Sequence, residues 1–251
     1  MARLRENKIL VILPTYNEAL NIEDVLTKLR NVLPNCMILV VDDGSPDGTA
    51  DLVTGLAKIV GNLEVLKRGE KSGLGSACIA GFKWGLNRGY DIVIEMDSDL
   101  SHDPAEILNI ISPLSEEMDL VLGSRYVDGG TIVKWSFFRR LLSRYGNVYV
   151  KFMLGVPIMD ATTGYRAYSA RILKAIDLDS IKANGYGFQI EMVYRTHQLG
   201  GKMTEVPIAF VDRKRGNSKM SLTIPIEALL LVTKWSLERI LLSRKSKATL
   251  T

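Results

Sequence analysis

The sequence is poor in cysteine and histidine. Its thiols are Cys36 and Cys78, far apart in the chain. That spacing makes neither a metal-ligand pair nor a disulfide framework, and a reducing, intracellular setting is expected. The histidines are His102 and His197. Neither stands at a spacing that suggests a metal site or a triad, and His102 is read as a surface-loop residue, the alternative being that it lines a site beside the neighbouring carboxylates. No Ser/His/Asp or Cys/His arrangement marks a nucleophile. Long apolar runs are also missing. Ile9–Leu13 stops at Pro14, too short for the core of a signal peptide, so no leader is expected. The best candidate for a membrane span, Ile224–Leu242, is interrupted by Glu227, Lys234, Glu238 and Arg239, whereas a span needs about 20 mostly apolar residues. There is no internal repeat, no low-complexity linker and no break in composition, so one domain over residues 1–251 is expected.

The 251 residues are 47% hydrophobic and 24% charged, the balance of a globular α/β protein rather than a disordered or fibrous one. Net charge is +4, but it is unevenly spread. Residues 1–124 carry 11 Lys+Arg against 19 Asp+Glu, and residues 125–251 carry 21 against 9. An acidic half suits a cation, and a basic half suits an anionic partner. Short apolar runs at Lys8–Leu13, Met37–Val41, Leu63–Leu66, Ile92–Met96 and Leu120–Gly123 read as buried strands. The stretches Ala19–Leu33, Thr49–Val60, Ser76–Arg88 and Ala105–Leu114 read as helices between them. This alternation predicts a mostly parallel sheet covered on both faces, with ligands at the carboxyl ends of its strands. Beyond it, helices are expected at Phe137–Leu154, Phe188–Leu199 and Thr223–Leu242, a loop and short strand over Asp160–Tyr168, and a strand over Thr204–Val211.

Polar clusters follow the predicted strand ends. In Glu95-Met-Asp97-Ser98-Asp99-Leu-Ser101-His102-Asp103, an apolar strand ends on two acids one residue apart. Side chains at i and i+2 of an extended stretch share a face, so Asp97 and Asp99 can meet on one hard cation, Mg²⁺ or Mn²⁺, whose shell water and phosphate oxygens complete. Asp103 is assigned instead to capping the helix that starts at Pro104. In Val40-Val41-Asp42-Asp43-Gly44-Ser45-Pro46-Asp47-Gly48-Thr49, Asp47 is read as a cap, and either Asp42 or Asp43 as an acceptor for a ribose hydroxyl or a base N–H. Pro14-Thr-Tyr16-Asn-Glu18 offers a ring and an acid to a base, or simply a turn entering a helix. Gly73-Leu-Gly75 is read as a tight turn into a helix, since it lacks the third glycine and follows the wrong strand for a dinucleotide loop. Arg213-Lys-Arg-Gly216-Asn-Ser218-Lys219 suits a phosphate-gripping loop, the alternative being a solvated basic loop. Trp135–Leu154 combines bulky apolar residues with Arg139, Arg140 and Arg144. Such a helix lies in an anionic membrane surface or packs as a core helix with a solvated face. No aromatic stacking array or nucleic-acid-binding motif accompanies the basic half, so nucleic acid is not expected as a partner.

Taken together, the Pro14–Glu18, Val41–Thr49 and Met96–His102 segments and Gly123-Ser-Arg125-Tyr resemble the GT-A-fold polyprenyl-phosphate mannosyltransferases, the dolichol-phosphate mannose synthase family. So do Asp160-x-Thr-x-Gly164-Tyr-Arg166, Gly187-Phe-Gln-Ile-Glu191 and Arg213-x-x-Gly-x-Ser-Lys219. The likeness covers about residues 8–240 and is nearest to the bacterial single-domain polyprenol monophosphomannose synthases. It implies a GT-A α/β fold with amphipathic interface helices at 137–154 and 223–242, GDP-mannose as donor and a polyprenyl or dolichyl phosphate as acceptor. It also implies work at the cytoplasmic face of a membrane, with or without a separate membrane-anchoring protein. By resemblance, Pro14, Tyr16, Glu18, Val40 and Asp42 hold the guanosine, with Asp43 beside them. Asp97, Ser98 and Asp99 hold donor and metal, and Arg213 and Lys219 grip the diphosphate. Arg125, Arg139 and Ser143 receive the lipid phosphate. Ser101 stands where some members have a glutamine metal ligand, and a hydroxyl is shorter and weaker.

The chemistry implied agrees with the residues present. A sugar-hydroxyl acceptor needs a general base. A phosphate monoester, with a second pKa near ~6, is already largely anionic, and no base stands out in the sequence. Catalysis then reduces to positioning and charge neutralisation. The rival readings are a sibling enzyme using UDP-glucose, a sugar-phosphate nucleotidyltransferase and a non-catalytic membrane-docking module. The nucleotidyltransferase would need a glycine-rich cationic loop where Pro14–Glu18 stands. The docking module would have no need of Asp97, Asp99, Arg213 and Lys219.

Overall fold

The structure is a computed structural model describing residues 7–114, 117–213 and 223–248, with side chains of the last segment described over 226–241. The chain begins β1 (Ile9–Thr15), α1 (Ile22–Val32), β2 (Met37–Asp42), α2 (Thr49–Val60), β3 (Leu63–Lys67), α3 (Leu74–Asn87) and β4 (Ile92–Glu95). A 3₁₀ turn (Pro104–Glu106) leads into α4 (Ile107–Ile111), followed by β5 (Leu120–Ser124), β6 (Thr131–Val133) and α5 (Phe137–Leu154). Then come β7 (Arg166–Ser169), α6 (Ala170–Ala175), a second 3₁₀ turn (Leu178–Ser180), α7 (Gly185–Gln198), β8 (Met203–Pro207), β9 (Ala209–Val211) and α8 (Thr223–Ala248).

Seven strands form one sheet in the order β3-β2-β1-β4-β7-β5-β8. Every pairing is parallel except those of β7, which runs antiparallel to both β4 and β5. The near-continuous apolar strands β1, β2, β4 and β5 are buried on both faces, as a covered parallel sheet requires. Alternation along β1 divides its side chains between two cores. Leu10 and Ile12 pack with Cys78 and Phe82 of α3, and Val11 and Leu13 pack with Ile22, Val25, Leu26 and Leu29 of α1. The chain first steps outward from β1 to β3, then returns across β1 to β4. That reversal opens a crevice at the carboxyl ends of β1, β2 and β4, the usual ligand position in such sheets.

The predicted elements are present, with local differences. The helix expected over Ala105–Leu114 is a 3₁₀ turn plus the five residues of α4, with Asp103 Oδ1 accepting from Ala105 N at its start. The strand expected over Thr204–Val211 is divided. β8 pairs with β5, whereas β9 pairs with β6 in a separate two-stranded sheet. The division falls at Ile208, whose N donates to Ser124 O of β5 while its O accepts from Thr131 N of β6. Strand β6 and helix α6 were not anticipated from the sequence, each being too short to show a period. Helix α5 has the expected bounds, opened by Ser136, whose side chain accepts from Arg139 N, and closed by Gly155 in the left-handed region.

Candidate active site

A cleft of about 420 Å³ lies at the crevice. The end of β1 supplies Pro14, Thr15, Tyr16 and Glu18 to its wall. Glu18 is buried; its Oε2 accepts from Asn21 Nδ2 at 2.9 Å and its Oε1 is 4.0 Å from Arg213 Nη1. At the end of β2, Asp43 lines the cleft and accepts from Arg68 Nη1 (2.7 Å), Ser72 N (2.9 Å) and Gly73 N (2.8 Å). These bonds draw the loop after β3 across the end of β2 and place Lys71 Nζ 4.2 Å over the Tyr16 ring. Gly73 turns into α3 with φ 93°, the tight turn expected there.

Two of the expected nucleoside contacts are elsewhere. Val40 is wholly buried in the core between strand and helix layers and does not line the cleft. Its side chain packs with Val11, Leu13 and Ile38 in that core. Asp42 is also outside the cleft wall. Its carboxylate accepts from Ser45 N and Oγ and from Thr15 Oγ1 at 2.6–3.0 Å, closing the turn after β2. The open choice between Asp42 and Asp43 therefore falls to Asp43 as the cleft residue. Asp47 accepts from Thr49 N and from Ala19 N, so it ties the start of α2 to the loop after β1.

The end of β4 carries the two acids. Asp97 is partly exposed and Asp99 buried, and both line the cleft with Ser98 and Ser101. Ser98 Oγ donates to Pro14 O at 3.0 Å, joining the two strand ends. Asp99 Oδ1 accepts from Ser101 N at 2.9 Å, and its Oδ2 stands 2.8 Å from Arg213 Nη2. His102 is not the surface-loop residue expected. It is 1% exposed, with Nε2 3.2 Å from Asp97 Oδ2. Burial alone would raise the Asp97 pKa. The His102 contact and the charges of Arg213 and Arg125 outweigh it and hold the carboxyl below its usual range. Among the described residues no group of three or more His, Cys, Asp or Glu side chains encloses a metal site.

The far wall is basic and aromatic. Arg125 is buried. Its Nε and Nη2 grip Asp160 at 2.7 Å each, its backbone N donates to the same carboxylate, and Nη2 also reaches Thr162 Oγ1 at 2.8 Å. Burial would raise the Asp160 pKa, but Arg125 brings it below the ordinary value. Arg139 lies 4.1 Å over the Trp135 ring and donates from Nη1 to both Asp212 oxygens at 3.2 Å. Arg125 stands 5.2 Å from the same ring. Ser143 is not in the cleft. Its Oγ accepts from Tyr126 at 2.6 Å, and it lines a separate apolar groove between α5, α7 and α8. Trp135, Arg139, Thr162 and Tyr186 border both cleft and groove. Lys219 and the rest of the basic loop after Arg213 lie outside the described residues. Trp135, Tyr186 and Phe210 were not identified as site residues from the sequence, because aromatic residues there carry no signal that separates them from core.

Beneath the acids, Glu95 is fully buried. Its Oε1 accepts from Gln189 Nε2 and from the Cys78 thiol. Burial is the main influence and pushes its pKa up to about 7, against the opposing charge of Arg166. Between its ordinary value of 4.5 and about 7, the folded protein holds a proton that the unfolded chain has released. Stability therefore falls as pH rises through that window and levels off above it, at ~1.4 kcal/mol per pH unit. Glu95→Gln is expected to remove this slope. Urea midpoints at pH 5 and pH 8 should show wild type losing about 2.5 kcal/mol relative to the variant. A difference between the two proteins that does not change with pH would refute the buried, titrating carboxyl.

The mostly parallel sheet, with paired acids at the end of β4 and a cleft beside β1 and β2, is the arrangement of a GT-A glycosyltransferase. The family profile "Glycosyl transferase family 2" matches residues 10–177, and the chain belongs to that family and is a glycosyltransferase. It is 48% identical over 230 residues to an undecaprenyl-phosphate mannosyltransferase of Micrococcus luteus, covering 92% of this chain and 94% of that one. It is 45% identical over 229 residues to a polyprenol monophosphomannose synthase of Mycolicibacterium smegmatis, covering 91% and 86%. Among solved structures, glucosyl-3-phosphoglycerate synthase from Mycobacterium tuberculosis in complex with Mn²⁺, UDP and phosphoglyceric acid superposes with a TM-score of 0.70 at 20% identity, covering 94% of this chain and 80% of that one. At that identity the likeness is one of fold.

Proposed function

We propose that this chain transfers mannose from GDP-mannose to the phosphate of a polyprenyl lipid, with inversion at the anomeric carbon, while docked on a membrane surface. The observation that carries this reading is the junction at Arg139. An acidic nucleotide cleft opens there directly onto a groove of about 150 Å³ lined by Leu142, Tyr149, Val150, Ile190, Leu229 and Val232. A sugar or glycerate acceptor has no use for an apolar groove; an isoprenoid chain does. The two relatives named for transfer to polyprenyl phosphates support the same assignment at 45–48% identity.

The outer faces of α5 and α8 fit a membrane. Phe137, Phe138, Leu142, Tyr145 and Phe152 of α5 are exposed, as are Ile226, Leu229, Leu230, Leu237 and Leu241 of α8. Exposed Arg140, Arg144 and Lys151 lie among the first set. A soluble core helix buries its apolar stripe; here the stripe faces outward beside cations, as on an interfacial helix. On α8 apolar side chains also point inward, at Ala228 and Val232, so this helix is apolar on two sides rather than divided into an apolar and a polar face. No helix among the described residues is long and apolar enough to cross a membrane.

The cleft residues fit a divalent cation. Asp97 and Asp99 are hard oxygen donors on one strand end, and Ser101 Oγ is buried beside them without a partner. Arg213 already places positive charge on Asp99. Mg²⁺ or Mn²⁺ held by Asp97 and Asp99, with Ser101 at its edge, would neutralise charge on the departing diphosphate. Tyr16 and Lys71 form the ledge for the base, and Asp43 holds that ledge in place. Arg213 reaches the diphosphate from the open side. Arg139, at the mouth of the groove, holds the acceptor phosphate, and Arg125, locked by Asp160, sets the charge behind it. The acceptor is already an anion, so no residue need remove a proton. Attack in line with the leaving diphosphate converts an α-linked donor into a β-linked product.

The test is sugar transfer in detergent from GDP-mannose and UDP-glucose to a polyprenyl phosphate, with Mn²⁺ or with chelator. Mn²⁺-dependent transfer from GDP-mannose alone is expected. Transfer from UDP-glucose alone would overturn the donor, and transfer to no polyprenyl phosphate would overturn the acceptor. Arg139→Ala should lower transfer by about 10²-fold, the loss of one charge-positioning contact, while GDP affinity changes less than about twofold. Equal loss of both would remove Arg139 from the acceptor site.

A further inference from the structure

His102 is built into the molecule more firmly than a loop residue needs to be. Its ring lies between Tyr165, with centroids 5.0 Å apart, and Phe210, at 5.3 Å. It is 1% exposed. Neither ring nitrogen makes a hydrogen bond of regular geometry, and the polar group nearest Nε2 is Asp97 Oδ2 at 3.2 Å. The turn that brings it there costs backbone strain. Leu100 has φ +62°, a left-handed conformation unfavourable for a leucine, and such strain collects at functional sites. A phenylalanine would fill the same aromatic sandwich without burying polar nitrogens, so packing alone does not account for an imidazole.

The backbone at Gly164 also confines Asp97. A Cβ added at Gly164 would come within 2.9 Å of Asp97 Oδ1 and 3.1 Å of Oδ2. The carboxylate therefore sits in a slot bounded by the imidazole Nε2 and by the backbone at Gly164.

We propose that His102 is a positioning residue: its Nε2–H holds Asp97 Oδ2 in the slot against Gly164, so that the remaining lone pairs of the carboxylate are aimed at a divalent cation. This rests on the metal reading given above. Hydrogen bonds that orient metal-binding side chains typically contribute 10–100-fold in metal affinity.

The experiment measures Mn²⁺ binding to the whole chain in the presence of GDP, by loss of the free-ion electron paramagnetic resonance signal. GDP binding in chelator is measured alongside. His102→Phe keeps the ring and removes the donor, and it is expected to weaken Mn²⁺ binding by about tenfold or more with metal-free GDP binding unchanged. His102→Gln returns an N–H near the Nε2 position and is expected to recover most of the affinity. Gly164→Ala displaces the same carboxylate through a Cβ whose nearest atoms belong to Asp97, and it should weaken Mn²⁺ binding as well. Unchanged Mn²⁺ affinity in His102→Phe or in Gly164→Ala would overturn the proposal, as would a glutamine variant as weak as the phenylalanine one. Wild-type protein that binds GDP but no Mn²⁺ would overturn the metal reading itself. Wild-type binding with an unaffected phenylalanine variant would overturn the role of His102 alone.

Discussion

Asp99→Asn is expected to reduce sugar transfer by about 10³-fold or more, the scale for removing a group that stabilises charge on a leaving diphosphate. The thermal midpoint should stay within a few degrees of wild type. The asymmetry follows from what Asp99 touches. Its Oδ1 accepts from Ser101 N at 2.9 Å, and an asparagine carbonyl can accept the same bond, so the turn after β4 survives. Its Oδ2 faces Arg213 Nη2 at 2.8 Å, and that charge pairing is lost. Arg213 still has Glu18 Oε1 at 4.0 Å, so it is not left without a counter-charge. Initial rates with GDP-mannose and a polyprenyl phosphate, with thermal unfolding in parallel, separate the effects. Full activity with an intact fold would remove Asp99 from the chemistry. Lost activity with a collapsed midpoint would make it structural.

The second large effect falls on the Arg125–Asp160 pair. Both side chains are buried, with two contacts of 2.7 Å between guanidinium and carboxylate. Removing one partner of such a pair costs ~3–5 kcal/mol, because the other charge stays buried without compensation. Asp160→Ala should therefore lower stability by about that amount, read from the urea midpoint, and it should also lower transfer by freeing Arg125 behind the acceptor. Replacing both residues by apolar side chains of similar size should cost less stability than Asp160→Ala alone, since no charge is then stranded. A cost below ~1 kcal/mol for Asp160→Ala would show that the pair behaves as an exposed one.

These two residues show how unevenly a site can be read from sequence. Asp99 was legible because its neighbours carry the signal: an apolar strand ends and a second acid stands two positions away on the same face. Arg125 was assigned to the acceptor phosphate, yet most of its guanidinium is taken up by Asp160, 35 positions along the chain. Nothing local to Arg125 announces that partner. Asp42 and Asp43 are adjacent and chemically identical. Only the fold decides that Asp42 turns inward to Ser45 and Thr15 while Asp43 lines the cleft. His102 follows the same rule. Polar neighbours on both sides made it look exposed, but the left-handed turn at Leu100 folds it under Asp97 and between two rings that come from β7's approach and from β9.

Secondary structure divides along a similar line. Helices α2 and α5 have the bounds that their periodic apolar pattern predicts, and the five strands expected in the first half agree within a residue or two; in β1, β2, β4 and β5 burial on both faces leaves a continuous apolar run. Strand β7 contributes only Arg166–Ser169, and its partners are β4 and β5, both far away in sequence. Its antiparallel insertion between them is a long-range pairing with no local cause. The same holds for the break between β8 and β9, where two adjacent segments answer to different sheets.

By itself, then, the sequence determined the parallel α/β framework, the acids at the end of β4, the basic character of the second half and the likeness to polyprenyl-phosphate mannosyltransferases. These rest on periodicity, on residues close together in the chain and on ordered motifs. The tertiary structure alone decided which acid lines the cleft, what Arg125 grips, where His102 is buried and that the cleft meets an apolar groove at Arg139. Each of these depends on groups distant in sequence meeting within a few ångströms, and on burial that strips away water and makes a single neighbouring charge decisive.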